Sequence, residues 1–383
     1  MRTTVIKFAV SGLFLTLLLS VKASACTTAI VSAEASATGR PLIWKQRDAD
    51  NVRNTLAHVK GERYSYTGIY ADTDTRHSKT YGGINEVGFA IANNLSYNLR
   101  PHDTGTQNGL LMSRALGICE SLEDFENMLR EGTGLAISAN FAVIDAHGGA
   151  AYFETWDHGY TRYDVPEGGV LYRTNFSLSG RENEGGGYAR YEAISQIMEK
   201  RPRGGYSPEF FLDAARNFRH GFSGRDALKG NTLVYDNHLI PRPWSASSVI
   251  IEGVTQTQRP DAGMMWFVPG YPPCSYAVAV WVAAGDNLPA TVSGDAPANA
   301  LAVALMHKVH PFFQNEEGAE YLDVKAVKKI LPIVRKAEKK ELEAGAALDL
   351  RFRKNGFSPE AVTEYNKEAQ KRFESFKNKV KTP

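Results

Sequence analysis

The chain has 383 residues, of which 43% are hydrophobic, and 44 Lys and Arg stand against 42 Asp and Glu for a formal net charge of +2. That near balance excludes a protein that holds nucleic acid through a basic excess. The apolar content excludes a disordered chain, and the length allows one large domain or two ordinary ones.

Residues 1–25 read as a secretory leader. Arg2 and Lys7 give a positive start, residues 8–21 are an apolar run closed by Lys22, and Ala23-Ser24-Ala25 has the small-x-small form of a cleavage site. The run is shorter than the roughly 20 residues a membrane-spanning helix needs, so no stable membrane insertion is expected after cleavage. The leader holds three basic residues and no acid, so its removal takes the net charge from +2 to −1. An exported protein, periplasmic or extracellular, is expected.

Cleavage after Ala25 would leave Cys26 as the first residue, with a thiol nucleophile and an α-amine base on one residue. The ordinary pKa of such an amine, roughly 7.7–8.0, leaves part of it neutral near pH 7. Two further cysteines, Cys119 and Cys274, read as buried small hydrophobes, with a mutual disulfide as the alternative.

The elements follow in order. Residues 27–31 are β-prone, residues 36–41 supply turn chemistry, and an extended run resumes at Leu42-Ile43-Trp44. Such a hairpin brings Cys26 near Lys45, Gln46, Arg47 and Asp48. Residues 82–88 read as a turn and 89–92 as a short buried strand ending at Asn93-Asn94. Helices are expected over 108–131, then strands at 140–144, 150–156, 159–163 and 170–174, with a hairpin turn at 145–149. Residues 185–229 read as mostly helical, and strands return at 247–252, 264–268 and 276–282. The last 65 or so residues are helical and rich in Lys and Glu, with Ser358-Pro359 opening one helix. Blocks of strands, helices and strands predict an α+β layered fold.

Around Cys26, Lys45 and Arg47 are the cations that would favour a thiolate, and Asp48 the acid that would orient the amine. The run Cys26-Thr27-Thr28-Ala29-Ile30-Val31 followed by Trp44-Lys45-Gln46-Arg47-Asp48 resembles the start of the Ntn hydrolases that include choloylglycine hydrolases and penicillin acyltransferases. Lys45 falls where that group commonly has Arg, and Asp48 on its Asp. Gly83-Ile84-Asn85-Glu86-Val87-Gly88-Phe89-Ala90-Ile91-Ala92-Asn93-Asn94 is similar to the group's segment ending in an oxyanion-binding Asn. The spacing favours Asn94 over Asn93 for that role. Thr174-Asn175 with Phe176 is similar to a third segment, whose Asn contacts the N-terminal residue. Choloylglycine hydrolases carry a further Arg in the stretch matching 244–249; none stands there, which points away from bile salts, and Arg242 lies just outside.

The resemblance extends to about residue 285. It implies a four-layer αββα sandwich over residues 26–317, with residues 318–383 a helical C-terminal extension packed on the same domain. The implied activity is hydrolysis of a linear, non-peptide acyl amide through a thioester, with Cys26, Lys45, Arg47, Asp48, Asn94 and Asn175 as site residues. Hydrolysis and acyl transfer stay open at this point, as do the acyl amide, homo-oligomerisation and the agent of cleavage. The partner expected is a small acyl amide and not nucleic acid. Neither a metal nor a cofactor is expected: His307 and His310 have no third ligand, and Gly185-Gly186-Gly187 fits no phosphate loop. The alternative reading is a lipid-anchored surface binding protein with Cys26 lipidated.

Overall fold

The computed structural model describes residues 25–99, 107–230, 232–312 and 321–381, so the expected leader lies, Ala25 apart, outside the described residues. The strands are β1 (Thr27–Val31), β2 (Leu42–Asp48), β3 (Asn54–Lys60), β4 (Ser65–Ala71), β5 (Gly82–Asn85), β6 (Ala90–Leu95), β7 (Ser138–Ile144), β8 (Ala150–Trp156), β9 (Gly159–Asp164) and β10 (Val170–Arg173). They continue as β11 (Leu233–Tyr235), β12 (Ser245–Glu252), β13 (Met264–Pro269), β14 (Val278–Trp281) and β15 (Tyr321–Asp323). The helices are α1 (Asn108–Ile118), α2 (Leu122–Arg130), α3 (Tyr188–Met198), α4 (Pro208–Ala214), α5 (Pro297–Val309), α6 (Val324–Asn355) and α7 (Pro359–Lys381).

Two antiparallel sheets carry the fold. One has six strands in the order β10-β1-β2-β12-β13-β14, and the other runs β3 to β9 as a seven-stranded meander. Side chains alternate across a strand, so a strand covered on both faces is apolar on both. Along β1 and β2, Ile30 and Ile43 face the second sheet, where they meet Ile84, Ala92, Ala142 and Ile144. Ala29, Val31 and Trp44 face the other way, toward α3, α4, α6 and α7. The second sheet turns Phe89, Ile91, Phe141 and Phe153 outward onto α1 and α2. The layers are therefore helix, sheet, sheet, helix, and the fold is the α+β αββα sandwich expected.

Local chemistry sets the boundaries. Ser121 caps α2 in a reciprocal box with Asp124. Asp145 accepts from the backbone N–H groups of His147 and Gly149, closing the β7–β8 turn, and from Leu122 N–H at the start of α2. Residues 82–85 are strand β5 rather than part of a turn. Their glycines serve close approach: a Cβ on Gly83 would sit 2.4 Å from the Thr67 carbonyl oxygen of β4. Residues 185–229 are less helical than expected, with only α3, α4 and a single short turn of 3₁₀ helix. Cys119 and Cys274 are both free and buried, and burial pushes the Cys119 thiol up to about 12.

The C-terminal helices pack against the six-stranded sheet. Leu342 of α6 and Val362, Tyr365 and Ala369 of α7 share a core with Trp266 and Ala279. Glu338 of α6 is held bidentate by the buried Arg216, at 2.7 and 2.8 Å, and also accepts from Ala277 N–H. Among the described residues no helix is long and apolar enough to cross a membrane.

Candidate active site

The β1–β2 pairing sets Thr27 opposite Gln46 and Val31 opposite Leu42, so Cys26 lies across from Arg47 and next to Asp48. The hairpin expected from the turn residues thus forms. By alternation Cys26 shares the inter-sheet face with Thr28 and Ile30. It is buried at 6% exposure, its sulfur 3.9 Å from the Asp48 carbonyl oxygen.

Lys45 and Arg47 project from the same face of β2 but do different things. The Lys45 ammonium donates to the Tyr81 carbonyl oxygen at 2.6 Å and to Asn93 Oδ1 at 2.8 Å. Burial pulls its pKa down to about 8, against the pull of negative charge on Cys26, and Arg47 lowers it further. Arg47 instead stacks on the Tyr81 ring, 3.5 Å from its centre, and donates to the Asn51 carbonyl oxygen and Asn54 Oδ1. Lys45 is the cation coupled to the sulfur, and Arg47 braces the wall beside it.

Asp48 is 1% exposed and takes a hydrogen bond from the Ser245 hydroxyl at 2.7 Å. Its second oxygen has no hydrogen-bond partner among the described residues, with Arg242 Nε 3.8 Å away. Burial pushes the Asp48 carboxyl up to about 6, while Arg242, Arg190 and Ser245 pull it down. A half-satisfied buried carboxylate is an expensive object to keep, and it is kept beside Cys26.

Arg190, on α3, ties the site together. It donates to the Cys26 carbonyl oxygen at 2.7 Å, to Thr27 Oγ1 at 3.0 Å and to Asn175 Oδ1 at 2.7 Å. Burial brings even this guanidinium down to about 10, with Asp48 and Cys26 opposing the drop. Asn175 also donates to the Leu95 carbonyl oxygen, so it reaches Cys26 through Arg190. Asn94 faces the inter-sheet space, accepting from Thr28 Oγ1 at 2.6 Å and donating one amide hydrogen to the Thr174 carbonyl oxygen. An Asn amide has two hydrogens, so the second remains for another acceptor. Asn93 is the residue bound to Lys45.

The six residues singled out from the sequence thus lie just before β1, on β2, at the end of β6 and at the start of the loop after β10. Among the described residues, no three His, Cys, Asp or Glu side chains come together as a metal site would need.

Residues 49–200 match the model of the family described as acyl-coenzyme A:6-aminopenicillanic acid acyl-transferase. Over this segment, about two fifths of its length, the chain is similar to an Ntn-hydrolase family. The matched segment contains Asn94, Asn175 and Arg190, and begins just past Asp48. No curated protein matches the chain in sequence. Among solved structures, it is similar to a Caenorhabditis elegans ortholog of N-acylethanolamine-hydrolyzing acid amidase, at 13% identity and a TM-score of 0.37, over 59% of this chain and 92% of that one. Penicillin V acylase from Agrobacterium tumefaciens matches at 12% identity and TM-score 0.37, over 66% and 86% of the two chains. A variant of conjugated bile acid hydrolase from Clostridium perfringens matches at 16% and 0.30, over 46% and 57%. Likenesses this distant say nothing of the substrate, which has to be argued from the site.

Two arginines of the site were not among the residues expected. Arg190 had a signal in the sequence: it shares the buried stripe of α3 with Ala193, Ile194 and Ile197, a place where a cation needs a partner. Arg242 lies two residues before the stretch where an Arg was sought, and the short loop ahead of β12 carries it to Asp48. An arginine does therefore reach this part of the site.

Proposed function

We propose that the chain is an exported amide hydrolase that uses Cys26 as an N-terminal nucleophile once residues 1–25 are removed. The observation that carries this reading is the open oxygen of Asp48. It belongs to a buried carboxyl, already held on one side by Ser245, on the residue whose backbone carbonyl lies 3.9 Å from the Cys26 sulfur.

Cys26 attacks the acyl carbonyl, and its own amine takes the thiol proton, directly or through one water. Lys45 and Arg190 favour the thiolate, Lys45 from the inter-sheet face and Arg190 from the helix face. Asn94 gives its second amide hydrogen to the oxyanion, a neutral donor fixed by Thr28 and Thr174. Asp48 holds the amine, Asn175 holds Arg190, and Arg47 keeps Tyr81 in place. The amine product leaves, the thioester forms, and water releases the acid. A second amine in place of water turns the same steps into acyl transfer.

Lipidation of Cys26 fits poorly with its surroundings. The sulfur is buried, and Thr27 opens a strand paired on both sides, so no length of chain is left to reach a membrane. The intact mass of the exported protein decides the matter. Unmodified residues 26–383 are expected, and an added diacylglycerol mass overturns the proposal. Hydrolysis of an acyl-amide panel should vanish in Cys26→Ala and Asp48→Asn; activity retained in Cys26→Ala removes the nucleophile assignment.

A further inference from the structure

The hairpin that carries Cys26 at one end has a second buried arginine at the other. Arg40 precedes β2, eight residues before Asp48, which is roughly 26 Å along an extended chain at 3.3 Å per residue. It is 0% exposed, yet Nε, Nη1 and Nη2 all lack a hydrogen-bond partner among the described residues. Its nearest anion is Asp349 of α6, at 3.5 Å, well beyond the 2.7–2.9 Å of a charge-assisted hydrogen bond. The other oxygen of Asp349, Oδ2, takes both contacts from Arg353, at 2.6 and 2.7 Å. A guanidinium buried without a close partner is among the more unfavourable arrangements a core can hold.

Arg40 lines a cavity of about 290 Å³ between the end of the six-stranded sheet and the C-terminal part of α6. Trp281, Phe352 and Phe357 form its apolar wall, with Trp281 and Phe352 edge to face at 5.6 Å. The indole N–H of Trp281 is a second buried donor without a partner among the described residues. Its volume matches the small end of ligand pockets, which begin at about 300 Å³. The charged groups around it balance, Arg40, Arg353 and Arg259 against Asp349, Asp261 and Glu252, but no hydrogen bond reaches the Arg40 fork among the described residues. Burial raises the Glu252 carboxyl above the ordinary value, while Trp266 Nε1, which holds one oxygen, and the charge of Arg40 lower it.

We propose that this cavity binds a small one-ring monocarboxylate, its carboxylate on the Arg40 fork and its ring against Trp281, Phe352 and Phe357. The planar guanidinium matches a carboxylate in bidentate fashion, and the aromatic wall supplies the apolar contact. The site is separate from the Cys26 end and does not depend on the reaction assigned there.

The test is a titration of ¹⁵N-labelled protein with 4-fluorophenylacetate, following the Trp281 indole N–H resonance, assigned by its absence in Trp281→Phe. The acid should shift that resonance in a saturable way, and 2-(4-fluorophenyl)ethanol, its neutral counterpart, should not. Arg40→Gln should weaken the acid by about tenfold or more, and Arg40→Lys, which keeps the charge but not the fork, by less. Should Arg40→Gln fail to fold, Arg40→Lys and the wall variant Phe357→Ala carry the test, each with a severalfold loss. No shift up to about 10 mM, equal shifts for acid and alcohol, or undiminished binding in the folded Arg40 variants overturns the proposal.

Discussion

The two ends of the β1–β2 hairpin treat a buried arginine in opposite ways. At the Cys26 end Arg190 donates to three oxygens within 3.0 Å. At the other end Arg40 has one anion at 3.5 Å and no hydrogen bond among the described residues. Both guanidiniums are desolvated to a similar degree, so the difference lies in how much of each is already used. A saturated arginine positions what it touches. An unsaturated one has capacity left for something else.

The largest effect expected on this contrast comes from Cys26→Ala, which should cut amide hydrolysis by about 10⁴-fold or more while leaving the melting temperature close to that of the parent. Arg190→Gln should do both kinds of damage. It leaves the Cys26 carbonyl and Asn175 underused and Asp48 less compensated, and a stability loss of about 3–5 kcal/mol in urea unfolding is expected. If Arg190→Gln melts like the parent, the claim that its charge is fully engaged fails.

Asn94→Ala should slow turnover by about 10²–10³-fold, the ordinary worth of one oxyanion donor. Because Asn94 also bridges Thr28 and Thr174, kcat and stability should both be read; a loss of stability alone would make it only a brace. The pH profile follows from the signs of two shifts. Asp48, pushed up to about 6, is ionised above that value and loses its charge as the pH falls through it; the α-ammonium of a free Cys26 would move this limb lower. Lys45, pulled down to about 8, is charged below that value, so its support of the thiolate fades as the pH rises through it. Lys45→Arg should shift the alkaline limb upward, and an unmoved limb would assign it to another group.

The smallest effect concerns the indoles. Trp281 Nε1 has no partner among the described residues, whereas Trp44 Nε1 donates to Ser248 Oγ at 3.0 Å. Trp281→Phe should therefore leave the melting temperature unchanged or raise it, and Trp44→Phe should lower it by about 1–3 kcal/mol in stability. Equal losses would show that the open donor of the Arg40 cavity is an ordinary packing residue.

Much of this was legible in the chain itself, for reasons specific to each part. The hairpin could be read because Ser36 to Pro41 carry turn chemistry between two β-prone runs, and the register then placed Lys45, Arg47 and Asp48 beside Cys26. The glycines at 82 and 83 misled because glycine serves close backbone approach as readily as turns, and only the neighbouring strand decides between them. Arg190 and Arg242 reach the site from a helix and a loop more than 160 residues beyond Cys26 and Asp48. No local pattern encodes such a meeting. The sharing of labour between Lys45 and Arg47 was also hidden, because it depends on Tyr81, which takes one cation on its ring and the other on its carbonyl.

The Arg216–Glu338 clamp has a consequence for timing. Glu338 and the helices around it leave the ribosome after the sheet that holds Cys26, yet they cover Trp266 and Ala279 on that sheet. Gly345 lies so close to Trp266 that a Cβ there would stand 2.6 Å from the indole ring. Until that segment is made, the outer face of this sheet is bare and Arg216 lacks its carboxylate partner. A growing chain therefore has Cys26 well before the roof over its sheet, so ribosome-bound chains stalled before residue 338 should be readily digested by protease and released chains that include both helices resistant.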